Sequence, residues 1–353
     1  MLLYIHIPFC SSKCNYCSFN SFVGKKGLWR DYLDALISQF NRWQQIKPAL
    51  FETLFIGGGT PSTLPSSFYF QLLEAISPFL LPNCEKSIEA NPTASREWIA
   101  QMGKIFNRIS FGVQSFNPDK LHFLGRNHTP QMAMEKVEVA FESGFKEINI
   151  DLIYGVKGDD YSLLEKDISI AEKLPITHIS GYSLTIEEGT PFAQLGTEAQ
   201  NLDEELQLWF IQRLNSSFPQ YEISNFGKIC RHNLGYWEGK EYRGIGAGAV
   251  GFEKIPWKGN RFFRYYHHYQ IEKFIGEPTP QKWEKISWEM WQEERIFLGL
   301  RSIVGVPKAI LTPSQIERAK ELTHSGFLKE TPSHFHPTSF TLADPLTLEI
   351  LEG

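Results

Sequence analysis

The first half of the chain repeats one pattern: a short β-branched or aromatic run, a loop, then a stretch whose apolar positions recur every three or four residues. This periodicity predicts strands over 2–7 (LLYIHI), 52–57 (ETLFIG), 86–91 (KSIEAN), 107–113 (NRISFGV), 147–154 (EINIDLIY) and 177–185 (THISGYSLT). Amphipathic helices are predicted between them, over 28–46, 66–80, 95–103, 131–143 and 161–174. Strict alternation implies βαβ units around a parallel sheet, and right-handed crossovers wind such a sheet into a barrel or a doubly wound layer. Six strands, where a full barrel has eight, favour a partial barrel open at one side.

After residue 187 the rhythm changes. A Pro/Gly turn leads to a helix near 203–216, and an irregular stretch is expected over 221–264. Helices are predicted over 265–275, 288–300 and 313–325, with GFLKE and SFTLADPL forming a small wing. The expected division is a barrel over 1–187, a connecting region over 188–280 and a winged-helix-like domain over 281–353. Such folds often bind DNA, but the acidic balance favours a lid or scaffold.

Composition narrows the function. A hydrophobic fraction of 42% and a charged fraction of 21% are ordinary for a soluble globular chain, and the net charge of −5 argues against a nucleic-acid partner. No apolar run reaches membrane-spanning length, and MLLYIHIPF is short for a signal peptide and has no basic leader. Five cysteines, three of them clustered, leave Cys84 and Cys230 as an unconvincing disulfide pair. A reducing, cytoplasmic compartment fits best.

The cluster is the most informative motif. Cys10, Cys14 and Cys17 lie in HIPFCSSKCNYCSFN, with no fourth cysteine nearby. A closed zinc site and a ferredoxin-type cluster each want four protein ligands. Three thiolates on a cubane leave one iron free for a small molecule, which suits S-adenosylmethionine (SAM) chemistry. The competing readings are a redox dithiol at Cys14 and Cys17, or zinc with His6 as fourth ligand.

Other candidates follow strand ends, where an α/β barrel places its active site. Gly57-Gly58-Gly59-Thr60 lets the backbone approach a ligand closely and expose its N–H groups, or else is only a tight turn. Glu89 in EANP can accept hydrogen bonds from an ammonium or from ribose hydroxyls. Gln114 in GVQSF, Arg126 in LGRNH and Asp151 in NIDLIYG would add polar contacts, although Arg126 and Asp151 taken singly read as ion-pair partners.

YIHIPFC, CNYCSFNS, FIGGGTPS, EANP, RISFGVQSF, LGRNH and NIDLIYG together resemble the coproporphyrinogen III dehydrogenase branch of the radical SAM family. The resemblance implies a partial (β/α)6 radical-SAM barrel of the α/β class with a C-terminal α+β, winged-helix-like domain. It implies a 4Fe–4S cluster on Cys10, Cys14 and Cys17, with Tyr16 near the SAM adenine. Tyr4, Gly58, Gly59, Thr60, Glu89, Gln114, Arg126 and Asp151 would contact S-adenosyl-L-methionine. Gln114, Arg126 and Asp151 match contacts to a second SAM molecule in relatives that hold two.

Three departures point away from the porphyrinogen oxidase. Phe19 stands where a further cysteine is expected; an N-terminal extension is expected before the cluster strand, whereas nine residues precede Cys10; and the oxidase lacks His232-Asn233-Leu234-Gly235-Tyr236-Trp237. That H-N-x-x-Y-W motif, followed by YRGIGAGAVGF, is similar to the heme-chaperone subgroup, with His232, Asn233, Tyr236 and Trp237 as heme-associated residues. Gly155-Val156-Lys157-Gly158, where relatives usually have Gly-Leu-Pro, is a loop change. His232 is the preferred iron ligand and Cys230 its competitor; without the resemblance, a capping histidine with two loop-fixing aromatics explains the motif. The resemblance thus implies a protein that binds heme and delivers it to heme-accepting apo-proteins, with the cluster and SAM governing assembly or transfer. It leaves room for peripheral membrane contact and a cluster-linked dimer. The alternative is an oxygen-independent coproporphyrinogen III dehydrogenase, which decarboxylates propionates through a 5′-deoxyadenosyl radical. The run Phe262–Tyr269 reads as a helix start or as a second porphyrin surface.

Overall fold

The computed structural model describes residues 1–197, 203–259 and 261–353. Its centre is a run of parallel strands, β1 (Leu2–Ile7), β2 (Phe51–Gly58), β3 (Leu80–Ala90), β4 (Arg108–Gln114), β5 (Glu147–Tyr154) and β6 (His178–Ser183). Helices α1 (Trp29–Ile46), α2 (Ser66–Ile76), α3 (Arg96–Met102), α4 (Pro130–Glu142) and α5 (Tyr161–Ala171) alternate with them. The expected α/β partial barrel is therefore present.

Side-chain alternation gives the layer its two faces. Leu3, Ile5, Leu54, Ile56, Ile88, Ile109, Phe111, Ile148, Ile150 and Ile179 join the core under the helices. On α1 that core takes Tyr32, Leu33, Leu36 and Phe40, the three-to-four spacing of an amphipathic helix. The intervening residues of β3 to β6 are mostly polar and face inward: Glu89, Arg108, Ser110, Asn149, Asp151, His178 and Ser180 line an internal cavity.

The strands between residues 225 and 285 join this same sheet. After α6 (Glu204–Ser217), β7 (Asn225–Gly227) pairs antiparallel with β6, and α7 (Arg231–Trp237) follows. Then β8 (Tyr242–Ile245) pairs parallel with β1, and β9 (Val250–Ile255), β10 (Arg261–Tyr266) and β11 (Lys282–Lys285) extend that edge antiparallel. Among the described residues the result is one eleven-stranded sheet. The irregular stretch expected over 221–264 is thus a set of short strands around α7. The helix expected over 265–275 is confined to Ile271–Gly276, because the aromatic run suits the pleated strand β10. Phe262 stacks on Phe252 of β9, ring centroids 5.1 Å apart.

Arg243 and Glu253 anchor this edge, both 0% exposed. Arg243 Nε and Nη2 donate to the two carboxylate oxygens at 3.0 and 2.9 Å, Lys47 Nζ adds a contact at 2.9 Å, and Tyr265 donates its hydroxyl at 2.7 Å.

The C-terminal part has its own apolar centre of Ile296, Leu300, Val306, Ala319, Phe335, Leu346 and Ile350. It comprises α8 (Trp288–Leu300), α9 (Pro313–His324), α10 (Ala343–Glu352) and a three-stranded sheet of β12 (Val306–Pro307), β13 (Leu328–Glu330) and β14 (His334–Pro337). SFTLADPL, expected in the wing, instead leads into α10. Ala343, Leu346, Thr347 and Ile350 recur at helical spacing there and are buried.

Candidate functional site

The cysteines sit directly beyond β1. Phe9–Cys10 pairs with Phe22–Val23 and closes the loop that carries them, and the Cys17 amide turns back to the Cys14 carbonyl at 3.2 Å. LGRNH braces this loop from the β4 side. Asn15 donates its side chain to the Phe123 carbonyl at 2.8 Å and its amide to Leu124 at 3.2 Å. Gly125, at φ +71°, is needed because a Cβ would stand 2.9 Å from Asn15 Oδ1.

Arg126 occupies the centre of this contact. Its Nη1 donates to Cys14 Sγ at 3.1 Å and its Nη2 to the Gly112 carbonyl at 2.6 Å, while buried Nε has no partner among the described residues. The sequence offered Arg126 as a SAM contact or an ion-pair partner; here its guanidinium is hydrogen-bonded to the Cys14 sulfur. All five cysteines are free thiols. Burial pushes the Cys10 and Cys17 thiols up, with the Thr60 hydroxyl opposing it at Cys10. Among the described residues no three His, Cys, Asp or Glu side chains converge to hold one metal ion. A cubane spreads its thiolates over separate irons, so the three cysteines and their adjacent cation fit it better than a single zinc. His6, the alternative fourth ligand, has Nδ1 at 2.9 Å from the Tyr4 hydroxyl and Nε2 at 2.8 Å from the Asn20 carbonyl.

Cys14, Tyr16 and Cys17 open onto a cavity of about 490 Å³ that also contains Glu89, Gln114, Arg126 and Asp151. Four strand-end candidates thus meet the cysteine loop at one place. Burial, then the neighbouring Asp151, pushes Glu89 up to about 7. Burial likewise raises Asp151 to about 6, although Asn149 Nδ2 donates to it at 2.8 Å. Gln114 holds φ +71°, the one non-glycine positive φ among the described residues. Such backbone strain persists where the surroundings enforce it, commonly at a ligand site.

The N–H groups of the glycine strip bond within the protein. Gly58 N–H donates to Glu89 Oε2 at 3.0 Å, Gly59 N–H to the Ile7 carbonyl and Thr60 N–H to the Phe9 carbonyl, each of these two at 2.8 Å. These amides are already engaged, so the strip fixes the cysteine strand and aims Glu89. Gly58 has φ +115°, and a Cβ there would stand 2.3 Å from the His6 ring.

Tyr4 does not line the cysteine cavity. It stacks on Phe55, centroids 6.3 Å apart, and faces a second cavity. The H-N-x-x-Y-W motif lies on α7, threaded against the inward face of the sheet. Asn233 faces the cysteine cavity and Tyr236 the second one. His232, expected as an accessible iron ligand, is 2% exposed, with Nδ1 at 2.7 Å from Thr53 Oγ1 and Nε2 at 2.9 Å from the Tyr236 hydroxyl. It stacks on Phe55, and burial lowers its pKa to about 3. Both nitrogens are engaged, and the ring acts as a strut between β2 and α7. Cys230 is also buried, its thiol 3.4 Å from Glu85 Oε1 and pushed up to about 12 by burial. Trp237 is held by its carbonyl, which accepts from Arg295 Nη1 at 2.5 Å.

Residues 4–169 match the radical SAM superfamily. The heme chaperone HemW of Lactococcus lactis is 36% identical over 323 residues, 86% of this chain and 82% of that protein. The chain belongs to the HemW family. HemW of Bacillus subtilis is 35% identical, covering 86% of this chain and 84% of its own. HemW of Escherichia coli is 36% identical, covering 74% and 72% respectively. Among solved structures, coproporphyrinogen III oxidase (HemN) of Escherichia coli superposes with a TM-score of 0.81 over 99% of this chain and 89% of its own, at 18% identity, which shows a shared fold.

Several cavity residues of this HemW family member escaped sequence reasoning. Arg108 donates to Glu147 Oε2 at 3.0 Å, and His178 lies 2.6 Å from Asn149 Oδ1 and 2.8 Å from the Tyr221 hydroxyl. The signal for them was available: in NRISFGV, EINIDLIY and THISGYSLT, polar residues occupy alternate positions, the mark of a strand with one polar face. No helix among the described residues is long and apolar enough to cross a membrane.

Proposed function

We propose that this chain binds heme and delivers it to acceptor proteins, and that Cys10, Cys14 and Cys17 hold a 4Fe–4S cluster beside bound SAM. The observation that carries this reading is the meeting of the cysteine loop with Glu89, Gln114, Arg126 and Asp151 in one cavity, in a family whose members are named heme chaperones. A cluster with SAM on its fourth iron supplies one-electron reductive chemistry. The chain's own groups do the rest. Glu89 and Asp151 receive the cationic parts of SAM, Arg126 offsets the charge of the Cys14 thiolate, and Tyr16 covers the adenine. His232 braces α7 so that Tyr236 keeps its place at the second cavity.

The test is one anaerobic assay on iron–sulfide-reconstituted protein with coproporphyrinogen III, SAM and a strong reductant, followed by transfer of bound hemin to an apo-acceptor. Untouched porphyrinogen together with hemin transfer is the expected result. Accumulating protoporphyrinogen would make the chain a coproporphyrinogen III dehydrogenase and overturn the proposal.

A further inference from the structure

The second cavity measures about 540 Å³, within the range of small-molecule sites. Tyr4 and Phe55 stand between it and the cysteine cavity, so a ligand there would not compete with one beside the cysteines. Aromatic rings form part of its walls, with Tyr4, Tyr236, Tyr242 and Phe252 on the barrel side and Trp291 and Phe297 on α8, and Lys240, Arg264, Glu294 and Arg295 are its charged groups. Tyr236 stands edge-on to Tyr242 with centroids 4.8 Å apart, which leaves flat ring surface at the wall.

Arg295 is the unusual member. It lines the cavity at 6% exposure, its one hydrogen bond among the described residues runs to the Trp237 carbonyl, and no described carboxylate lies within ion-pair reach. Arg264, on the same wall, is by contrast neutralised by Glu294 at 2.6 Å. A buried cation whose counter-charge, Glu238, acts only from beyond ion-pair distance is costly, and an anion arriving with a ligand reduces that cost. The C-terminal end of the H-N-x-x-Y-W motif meets this cavity, since Tyr236 forms wall and the Trp237 carbonyl holds Arg295.

We propose that this second cavity is the porphyrin pocket: a flat tetrapyrrole stacks among Tyr4, Tyr236 and Trp291, and Arg295 receives one of its carboxylates. The proposal rests on the heme-binding reading above and adds where the ring lies. Heme and SAM would then be held at once, on either side of Tyr4.

The test is a hemin titration of the full chain followed by the Soret band, with hemin dimethyl ester as a second probe. Leu298→Trp fills the cavity from α8 and Val250→Trp from the sheet; thermal unfolding shows which of them is folded. A folded filling variant should bind hemin at least about tenfold more weakly than wild type. Arg295→Gln should weaken hemin by about tenfold while leaving the ester nearly unaffected. Wild-type protein that leaves the Soret band unmoved would remove the heme reading itself. Wild-type binding matched by folded filling variants would overturn the pocket alone. Equal losses for hemin and its ester in Arg295→Gln would overturn the carboxylate pairing.

Discussion

Glu89 offers the sharpest test of the cysteine cavity. Its carboxyl ionises only as pH rises through about 7, because burial and Asp151 both resist the charge. SAM brings an ammonium and a sulfonium, which select the ionised form, so affinity should rise with pH and level off near pH 8. Between pH 6 and 8 the ionised fraction grows from about one-eleventh to about ten-elevenths, a gain of about tenfold in affinity. Asp151, near 6, adds about a further twofold over the same interval. Glu89→Gln keeps an acceptor for the Gly58 amide but removes the charge. It should retain only the twofold slope and, at pH 8, bind about ten- to a hundredfold more weakly, the worth of a charge-assisted hydrogen bond at about 1.5–3 kcal/mol. Equilibrium dialysis of SAM against reconstituted protein at both pH values measures this, and the ratio between the two proteins cancels any titration of SAM itself. A variant with wild-type affinity, or one with the same pH slope, would refute the assignment of Glu89.

Other residues give independent tests. Cys14→Ser should abolish the broad cluster absorption while far-ultraviolet circular dichroism stays that of an α/β protein; near-full iron occupancy would sink the ligand assignment. Gly58→Ala forces a Cβ into the His6 ring at a left-handed backbone position, and should lower stability by about 1–3 kcal/mol and misdirect Glu89. An unchanged melting temperature would show that the strip is looser than described. Glu253→Gln leaves Arg243 and Lys47 facing a neutral partner in the core, and should cost about 3–5 kcal/mol in urea unfolding. A loss under about 1 kcal/mol would mean that water reaches this ion pair.

Local pattern carried much of the architecture. The strand over Glu147–Tyr154 and the helix over Trp288–Leu300 were legible to the residue, since each is long, strongly periodic and bounded by breakers. The strands from Asn225 to Lys285 were not, because most of them span only three to six residues. Their partners also lie far off in sequence, as with Leu2 and Tyr242. The strand-end rule gathered Glu89, Gln114, Arg126 and Asp151 correctly, yet it could not reveal that Arg126 touches a thiol or that the strip amides are already bonded. The side on which His232 falls was likewise beyond reach: on a seven-residue helix covered on both flanks, only tertiary contacts decide.

The position of β1 has a consequence for the timing of assembly. It lies in the sheet's interior between β2 and β8, and its two neighbours are far apart in the chain, one at residues 51–58 and the other at residues 242–245. Until the second has paired, one flank of the strand that carries the cysteine loop is an unpaired edge. Long-range parallel pairing of this kind is slow. The strand that carries the cysteine loop is therefore held on both flanks only once residues 242–245 have folded against it.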